Sequence, residues 1–127
     1  MKKSILVVDD SRTIRASASF CLRKAGYHVT EAKDGVDALE KLAHLYQKGR
    51  APALIITDVN MPRMDGLSFI KEVKKGDLRF LPILVFTTES SQSALEKGKA
   101  AGAAGWLVKP FHAEQLLSAI KKLVWVR

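Results

Sequence analysis

Short apolar runs alternate with longer segments of helical periodicity along the 127 residues of the chain. Three of these runs, Ile5–Val8, Leu54–Thr57 and Ile83–Thr87, lack any alternation of polar and apolar positions. Strands of this kind are covered on both faces, as in a parallel sheet between two layers of helices. We therefore predict three central strands at these runs, an edge strand at Tyr27–Thr30, and a fifth strand at Trp106–Val108.

The segments between the runs place apolar residues three or four positions apart, which gives each predicted helix one buried stripe. Residues that favour helix N-caps stand before these segments: Ser11, Asp34, Asp65 and either Ser91 or Ser93. Five β/α units of this size predict a doubly wound α/β fold with a five-stranded parallel sheet in the order 2-1-3-4-5. The units fill residues 1–127, so we expect a single domain with no output domain.

Composition excludes several classes of protein. Lys and Arg number 21 against 13 Asp and Glu, a net charge of +8 that is spread over several predicted helices. No helix-turn-helix or basic-aromatic platform accompanies this charge, so nucleic-acid binding is not expected. The single cysteine, Cys21, excludes an intramolecular disulfide and a zinc cluster. No apolar run approaches the roughly 20 residues of a membrane span, so we expect a cytoplasmic protein without membrane insertion.

Charged and polar residues stand at the carboxyl ends of four of the five predicted strands, at the edge where ligands bind in a doubly wound sheet. They are Asp9, Asp10, Asp58, Thr87 and Lys109. Three converging carboxylates repel one another unless a cation lies among them, and Mg²⁺ is a hard ion that takes carboxylates and accepts phosphate. Lys109 and Thr87 would complement phosphoryl oxygens. Each residue alone is more typical of a cap or a solvated side chain, but together they predict a Mg²⁺-dependent phosphoryl-transfer site.

Longer strings carry a family resemblance, and they are Val7–Ser11, Asp58–Gly66, Thr87 and Lys109–Phe111. In this spacing the chain resembles the receiver domain of two-component response regulators over nearly its whole length, and most closely the stand-alone chemotaxis (CheY) type. The resemblance implies a flavodoxin/CheY-like fold and a phosphoacceptor signalling protein, not an enzyme, with Mg²⁺-dependent self-phosphorylation and self-dephosphorylation. It also implies two partners: a histidine kinase or phosphotransfer protein, and a downstream target protein or peptide.

The resemblance assigns roles within the predicted site. Asp58 is expected to be the phosphoacceptor. Asp10, Asp58 and the main-chain carbonyl of Asn60 are expected to bind Mg²⁺ directly, and Asp9 through a water molecule. Lys109 is expected to pair with the phosphoryl group, aided by a cis bond to the following proline.

The resemblance also implies a switch that responds to phosphorylation. Thr87 is expected to turn towards the phosphoryl group, and Trp106 to turn inward behind it. Trp106 is bulkier than the aromatic residue usual at this position, so we expect incomplete burial. Asn60, Thr88 and Glu89 occupy positions that tune hydrolysis in the family, and Thr88 is large enough to narrow access to the site.

Basic residues are expected to flank Trp106 on a partner-binding face made by the fourth helix, fifth strand and fifth helix. They are Lys97, Lys99, Lys121 and Lys122. In the family this face binds the kinase and the target, and a basic rim would speed encounters with acidic partners. The simpler interpretation of these lysines is a solvated surface.

The residues after the first predicted strand disfavour two other functions. A flavodoxin is disfavoured because the carboxylates of Asp9 and Asp10 would repel a flavin phosphate. An aspartate-nucleophile phosphatase of the haloacid dehalogenase family needs a D-x-D pattern after the first strand, which is absent. A phosphate sink, a phosphorelay intermediate and a constitutive interaction module with a receiver fold all stay open.

Overall fold

The computed structural model describes residues 3–88 and 92–124. Strands and helices alternate strictly along these residues. The elements are β1 (Ser4–Val8), α1 (Arg12–Lys24), β2 (His28–Ala32), α2 (Gly35–Gln47), β3 (Leu54–Asp58), α3 (Gly66–Lys75), β4 (Ile83–Thr87), α4 (Gln92–Ala101), β5 (Gly105–Val108) and α5 (Ala113–Leu123). All five predicted strands are present, with β2 beginning one residue later and extending further than expected.

The five strands form one parallel sheet in the order β2-β1-β3-β4-β5. This confirms the predicted doubly wound fold. The register pairs Asp58 with Phe86 and Thr87 with Val108, so the carboxyl ends of β3, β4 and β5 lie side by side. The polar residues at the carboxyl ends of these strands are therefore brought to one edge of the sheet.

The sheet separates two apolar layers. Alternate residues of one strand belong to different layers: Leu6 and Val8 pack with residues of α2 and α3, whereas Ile5 and Val7 pack with residues of α1 and α5. All four side chains are 0–1% exposed. Burial on both faces explains why the central strands are apolar at every position, and it gives the site a rigid base.

Side-chain caps begin three of the helices. The predicted N-caps Ser11, Asp34 and Asp65 each accept a hydrogen bond from the backbone N–H three residues further on. The prediction of Ser93 as the cap of α4 is wrong, because α4 already includes Gln92. Ser91, the alternative, lies outside the described residues. No helix in the described part of the chain is both long and apolar enough to cross a membrane.

Candidate functional site

Three carboxylates meet where β1 and β3 end. Each of Asp9, Asp10 and Asp58 offers a carboxylate oxygen, and these oxygens all lie within 4.8 Å of one another. Asp9 is 1% exposed and Asp58 is 8% exposed, while Asp10 is open to solvent. The expected convergence is therefore present, with two buried acids and one that faces outward.

The ammonium group of Lys109 lies between the two buried acids. Its Nζ is 2.8 Å from Asp9 Oδ2 and 3.3 Å from Asp58 Oδ2. The Lys109 N–H donates to the carbonyl oxygen of Thr87 at 2.7 Å, and the following peptide bond to Pro110 is cis, as expected. Phe111 then packs on Phe86 with ring centroids 4.7 Å apart, which fixes the segment that carries Lys109.

Backbone groups orient the two buried carboxylates. Asp9 Oδ1 accepts a hydrogen bond from the Ser11 N–H at 2.9 Å, and Asp58 Oδ1 accepts one from the Val59 N–H at 2.7 Å. The guanidinium of Arg15 donates to the main-chain oxygen of Asp9 at 2.7 Å. Both acids consequently keep their Oδ2 atoms directed at Lys109.

The charge balance of the cluster favours a further cation. Burial raises the pKa of Asp58 above its usual value, and the neighbouring charge of Asp9 raises it further; Lys109 and the Val59 N–H act in the opposite direction. One ammonium group therefore does not compensate three carboxylates. A set of carboxylate oxygens in this arrangement suits a hard divalent ion such as Mg²⁺.

The remaining residues expected near the phosphoryl group differ in exposure. Thr87 is fully buried at the end of β4, whereas Thr88 is exposed. Asn60 lies exposed in the loop between β3 and α3. Glu89, expected to tune hydrolysis, lies outside the described residues.

Trp106 is partly buried. Its ring packs on α4 at Gly98, where a Cβ atom would overlap the six-membered ring. A cavity of about 320 Å³ beside the ring is also lined by Asn60 and Lys97, and a smaller one of about 110 Å³ is also lined by Lys99. The indole therefore separates two clefts, and one of them reaches the loop that follows Asp58.

Comparison with known proteins identifies the family. The model of the family described as "Response regulator receiver domain" matches residues 5–121. The chain belongs to the response regulator receiver family. Receiver domains bind Mg²⁺ in an acidic pocket, and the aspartate cluster of this receiver domain is of that kind.

Individual relatives agree with this assignment. The structure of the Vibrio cholerae chemotaxis response regulator CheY4 has a TM-score of 0.88 and 46% identity, over 98% of this chain and 100% of that one. Protein PilG of Pseudomonas aeruginosa is 36% identical over 118 residues, which are 92% of this chain and 84% of PilG. The response regulator MprA of a Mycobacterium species is 42% identical over 125 residues, 98% of this chain. The receiver domain spans about half of MprA, 51% of its length.

The four lysines expected around Trp106 do not all lie beside it. Lys97 and Lys99 line the clefts on its two sides. Lys121 and Lys122 are exposed in the last turn of α5, and neither lines these two cavities. The basic rim next to the indole is thus formed by α4.

Sequence reasoning missed an ion pair in the loop after Asp58. Arg63 binds Asp34 through two hydrogen bonds, from Nε to Oδ2 at 2.8 Å and from Nη2 to Oδ1 at 3.0 Å. Arg63 stands inside the string that carries the receiver resemblance, and the sequence around Asp34 predicts only a helix cap. Nothing in the spacing of 29 residues between them indicates that they meet.

Proposed function

We propose that this receiver domain is a response regulator of the chemotaxis type that is phosphorylated on Asp58 in a Mg²⁺-dependent reaction. The phosphoryl group would come from a histidine kinase or a phosphotransfer protein, and phosphorylation would change the affinity for a target protein. The observation that carries the proposal is the meeting of the Asp9, Asp10 and Asp58 carboxylates, with Lys109 in contact with two of them. The likeness to the chemotaxis protein CheY4 supports the type.

Asp58 acts as the nucleophile in this proposal. A carboxylate oxygen attacks the phosphorus of a phosphohistidine, the P–N bond breaks, and the imidazole leaves with the bonding electron pair and takes up a proton. The product is an aspartyl phosphate. Oδ1 of Asp58 is held by the Val59 N–H, so the carboxylate is aimed before the phosphodonor arrives.

Lys109 follows the charge that moves during transfer. Before the reaction its ammonium group contacts Asp9 and Asp58. Once the negative charge of Asp58 passes to phosphoryl oxygens, Lys109 can keep Asp9 as one partner and take a phosphoryl oxygen as the other. A flexible point charge on a long stem suits this change of partner.

Asp10, Asp58 and the main-chain carbonyl of Asn60 are the proposed direct ligands of the metal, and Asp9 is proposed to act through a water molecule. Bound Mg²⁺ supplies neutralisation of the charge on the phosphoryl oxygens. The exposure of Asp10 leaves this side of the cluster open to solvent and to a phosphodonor. Asn60, Thr88 and Glu89 are proposed to tune hydrolysis of the aspartyl phosphate.

Thr87 and Trp106 are proposed to transmit the phosphorylated state. The hydroxyl of Thr87 would donate a hydrogen bond to a phosphoryl oxygen, and Trp106 would then change its position against α4. The indole borders both the cleft at Asn60 and the cleft at Lys99. A shift of the ring therefore alters the shape of a surface rimmed by Lys97 and Lys99, with Lys121 and Lys122 as further basic residues of the partner face.

Intact mass spectrometry after incubation with a small-molecule phosphodonor tests the chemistry. Wild type should gain one phosphoryl group in the presence of Mg²⁺. Neither wild type in chelator nor Asp58→Asn in Mg²⁺ should gain a phosphoryl group. Asp77→Asn removes an exposed acid outside the cluster and should react like wild type. An adduct that persists in Asp58→Asn, or that ignores the chelator, would contradict the proposal.

A switch and a phosphate sink differ at the Trp106 face and not at Asp58. For a switch, phosphorylation should change the affinity for a target peptide, and Trp106→Ala should abolish that change while leaving the mass adduct intact. A sink or relay would load phosphate with no change of affinity in wild type. If the protein is a constitutive interaction module, Asp58→Asn should bind the partner as tightly as wild type does.

A further inference from the structure

The loop from Val59 to Asp65 is held by contacts at its ends, at Met64 and at Arg63. At its ends, the Gly66 N–H donates to the Val59 carbonyl oxygen at 2.7 Å, and Asp65 caps α3. In its middle, Met64 packs over Gly35 at the start of α2. Arg63 holds the loop through its ion pair with Asp34.

Arg63 adopts a backbone conformation that disfavours its own side chain. Its φ angle is +66°, and it is the one non-glycine residue with positive φ in the ranges 3–88 and 92–124. This region is unfavourable for any residue that carries a Cβ atom. Such a conformation persists only where surrounding contacts determine it, and the guanidinium supplies one such contact through its two hydrogen bonds to Asp34.

The carboxylate of Asp34 is buried and oriented to bind that guanidinium. Its side chain is 4% exposed, and it receives two hydrogen bonds from Arg63 and one at 2.9 Å from the Asp37 N–H at the start of α2. The hydrogen bond from Arg63 holds the pKa of Asp34 below its usual value. A bidentate ion pair of this kind fixes the orientation of the guanidinium as well as its distance from the carboxylate, which a lysine could not do.

We infer that Arg63 is a positioning residue that, through Asp34, holds the loop carrying the Asn60 carbonyl over the aspartate cluster. The inference rests on the proposed function, in which that carbonyl is a metal ligand. Asn60 lies two residues after Asp58 and three residues before Arg63. The backbone on one side of Asn60 is therefore held by the buried end of β3, and the backbone on its other side is held by the ion pair of Arg63. Without the ion pair, the loop would keep the contacts at its ends and the packing of Met64, and it would lose the two hydrogen bonds that anchor it at Arg63.

Isothermal titration with MgCl₂ tests the inference on the full chain. Two conservative variants break the pair. Arg63→Lys keeps the positive charge but loses the bidentate hydrogen bonding of the guanidinium, and Asp34→Asn keeps a side chain that can cap the helix but loses the negative charge. Each should raise the Mg²⁺ dissociation constant by about 3–10-fold, less than the effect of removing a group bonded directly to a ligand. The double variant should be no weaker than the worse single variant, because both act through one pair. Arg50→Lys, in the exposed loop before β3 at the opposite edge of the sheet, should bind like wild type.

Urea unfolding in chelator separates positioning from plain structural support. A structural role alone would lower the free energy of unfolding in both variants and leave the Mg²⁺ dissociation constant unchanged, and this result would overturn the inference. Wild type that binds no Mg²⁺ would instead overturn the metal proposal, and the positioning role with it. Wild-type binding together with unchanged variants overturns the positioning role alone.

Discussion

Gly98 of α4 lies directly against the six-membered ring of Trp106, with no space for a Cβ atom between the helix backbone and the indole. An alanine at this position would normally strengthen a helix by about 1 kcal/mol. The residue type is therefore set by the ring and not by helix propensity. The same contact means that any displacement of the Trp106 ring would act directly on α4.

We expect Gly98→Ala to displace the Trp106 ring and to lower the free energy of unfolding by about 1 kcal/mol, because overpacking outweighs the gain in helix propensity. In a Trp125→Phe background, the tryptophan emission should shift to the red as the ring becomes more exposed. In a Trp106→Ala background the sign should reverse, and Gly98→Ala should stabilise the protein. Destabilisation of equal size in both backgrounds would contradict the contact.

The ion pair of Lys109 should matter most when no metal is bound. Lys109→Met leaves the buried Asp9 carboxylate without its charged partner, and we expect a loss of about 3 kcal/mol in urea unfolding with chelator present. Saturating Mg²⁺ should reduce this loss, since the ion compensates the same carboxylates. Lys75→Met removes an exposed ion pair with Glu72 and should change stability by less than about 1 kcal/mol. Equal losses with and without Mg²⁺ would argue against a shared role of ammonium and metal.

Gly66 is predicted to tolerate no side chain. A Cβ atom there would overlap the Asp58 carbonyl oxygen and come within 2.8 Å of the Val59 Cα, and neither backbone atom can rotate away. Gly66→Ala should therefore lower the free energy of unfolding by about 2–3 kcal/mol and weaken Mg²⁺ binding, because Asp58 must move. Gly76→Ala, whose new Cβ would have its nearest neighbour at 3.8 Å, is the matched control and should change stability by less than about 1 kcal/mol. A stable Gly66→Ala with normal Mg²⁺ affinity would show that the loop adjusts freely.

Asp34 should make stability depend on pH in a defined direction. Its pKa is lowered in the folded state, chiefly by the hydrogen bond from Arg63, so its ionised form stabilises the fold above the unfolded value of about 3.9. This contribution is lost as the pH falls through the folded-state pKa. The difference in free energy of unfolding between wild type and Asp34→Asn should thus be largest near neutral pH and shrink below about pH 4. A difference that is constant with pH would assign the effect to the helix cap instead of the charge.

The sequence predicted the sheet and the place of the site because both depend on simple regularities. Apolar runs without alternation identify buried parallel strands, and the residues after such strands meet at one edge whatever the details of packing. This reasoning brought Asp9, Asp58 and Lys109 together. It did not show that Lys109 already pairs with both acids before any phosphoryl group is present, because that requires side-chain geometry.

Two features of the structure were not predicted from the sequence: an ion pair between residues far apart in the chain, and the residue at which α4 begins. Asp34 carries a clear capping signal, but its second role depends on a loop 29 residues away and on the positive φ of Arg63. Ser93 and Glu96 have the spacing of a capping box, yet both lie within α4. Residues three apart are also neighbours on the surface of a helix interior, so the pattern does not by itself locate a helix start.

The strand register has a consequence for how this domain can change its length. A shift of one residue in β3 would turn every side chain of that strand to the opposite face, so Ile55 and Ile56 would exchange layers while Asp58 left its place opposite Phe86. We therefore expect insertions within the strands to disrupt the fold. The exposed segment 48–51 before β3 lies at the other edge of the sheet and can lengthen or accept a grafted peptide without disturbing the acids. Evolution and engineering can thus extend this domain at one edge of the sheet while its chemistry stays fixed at the other.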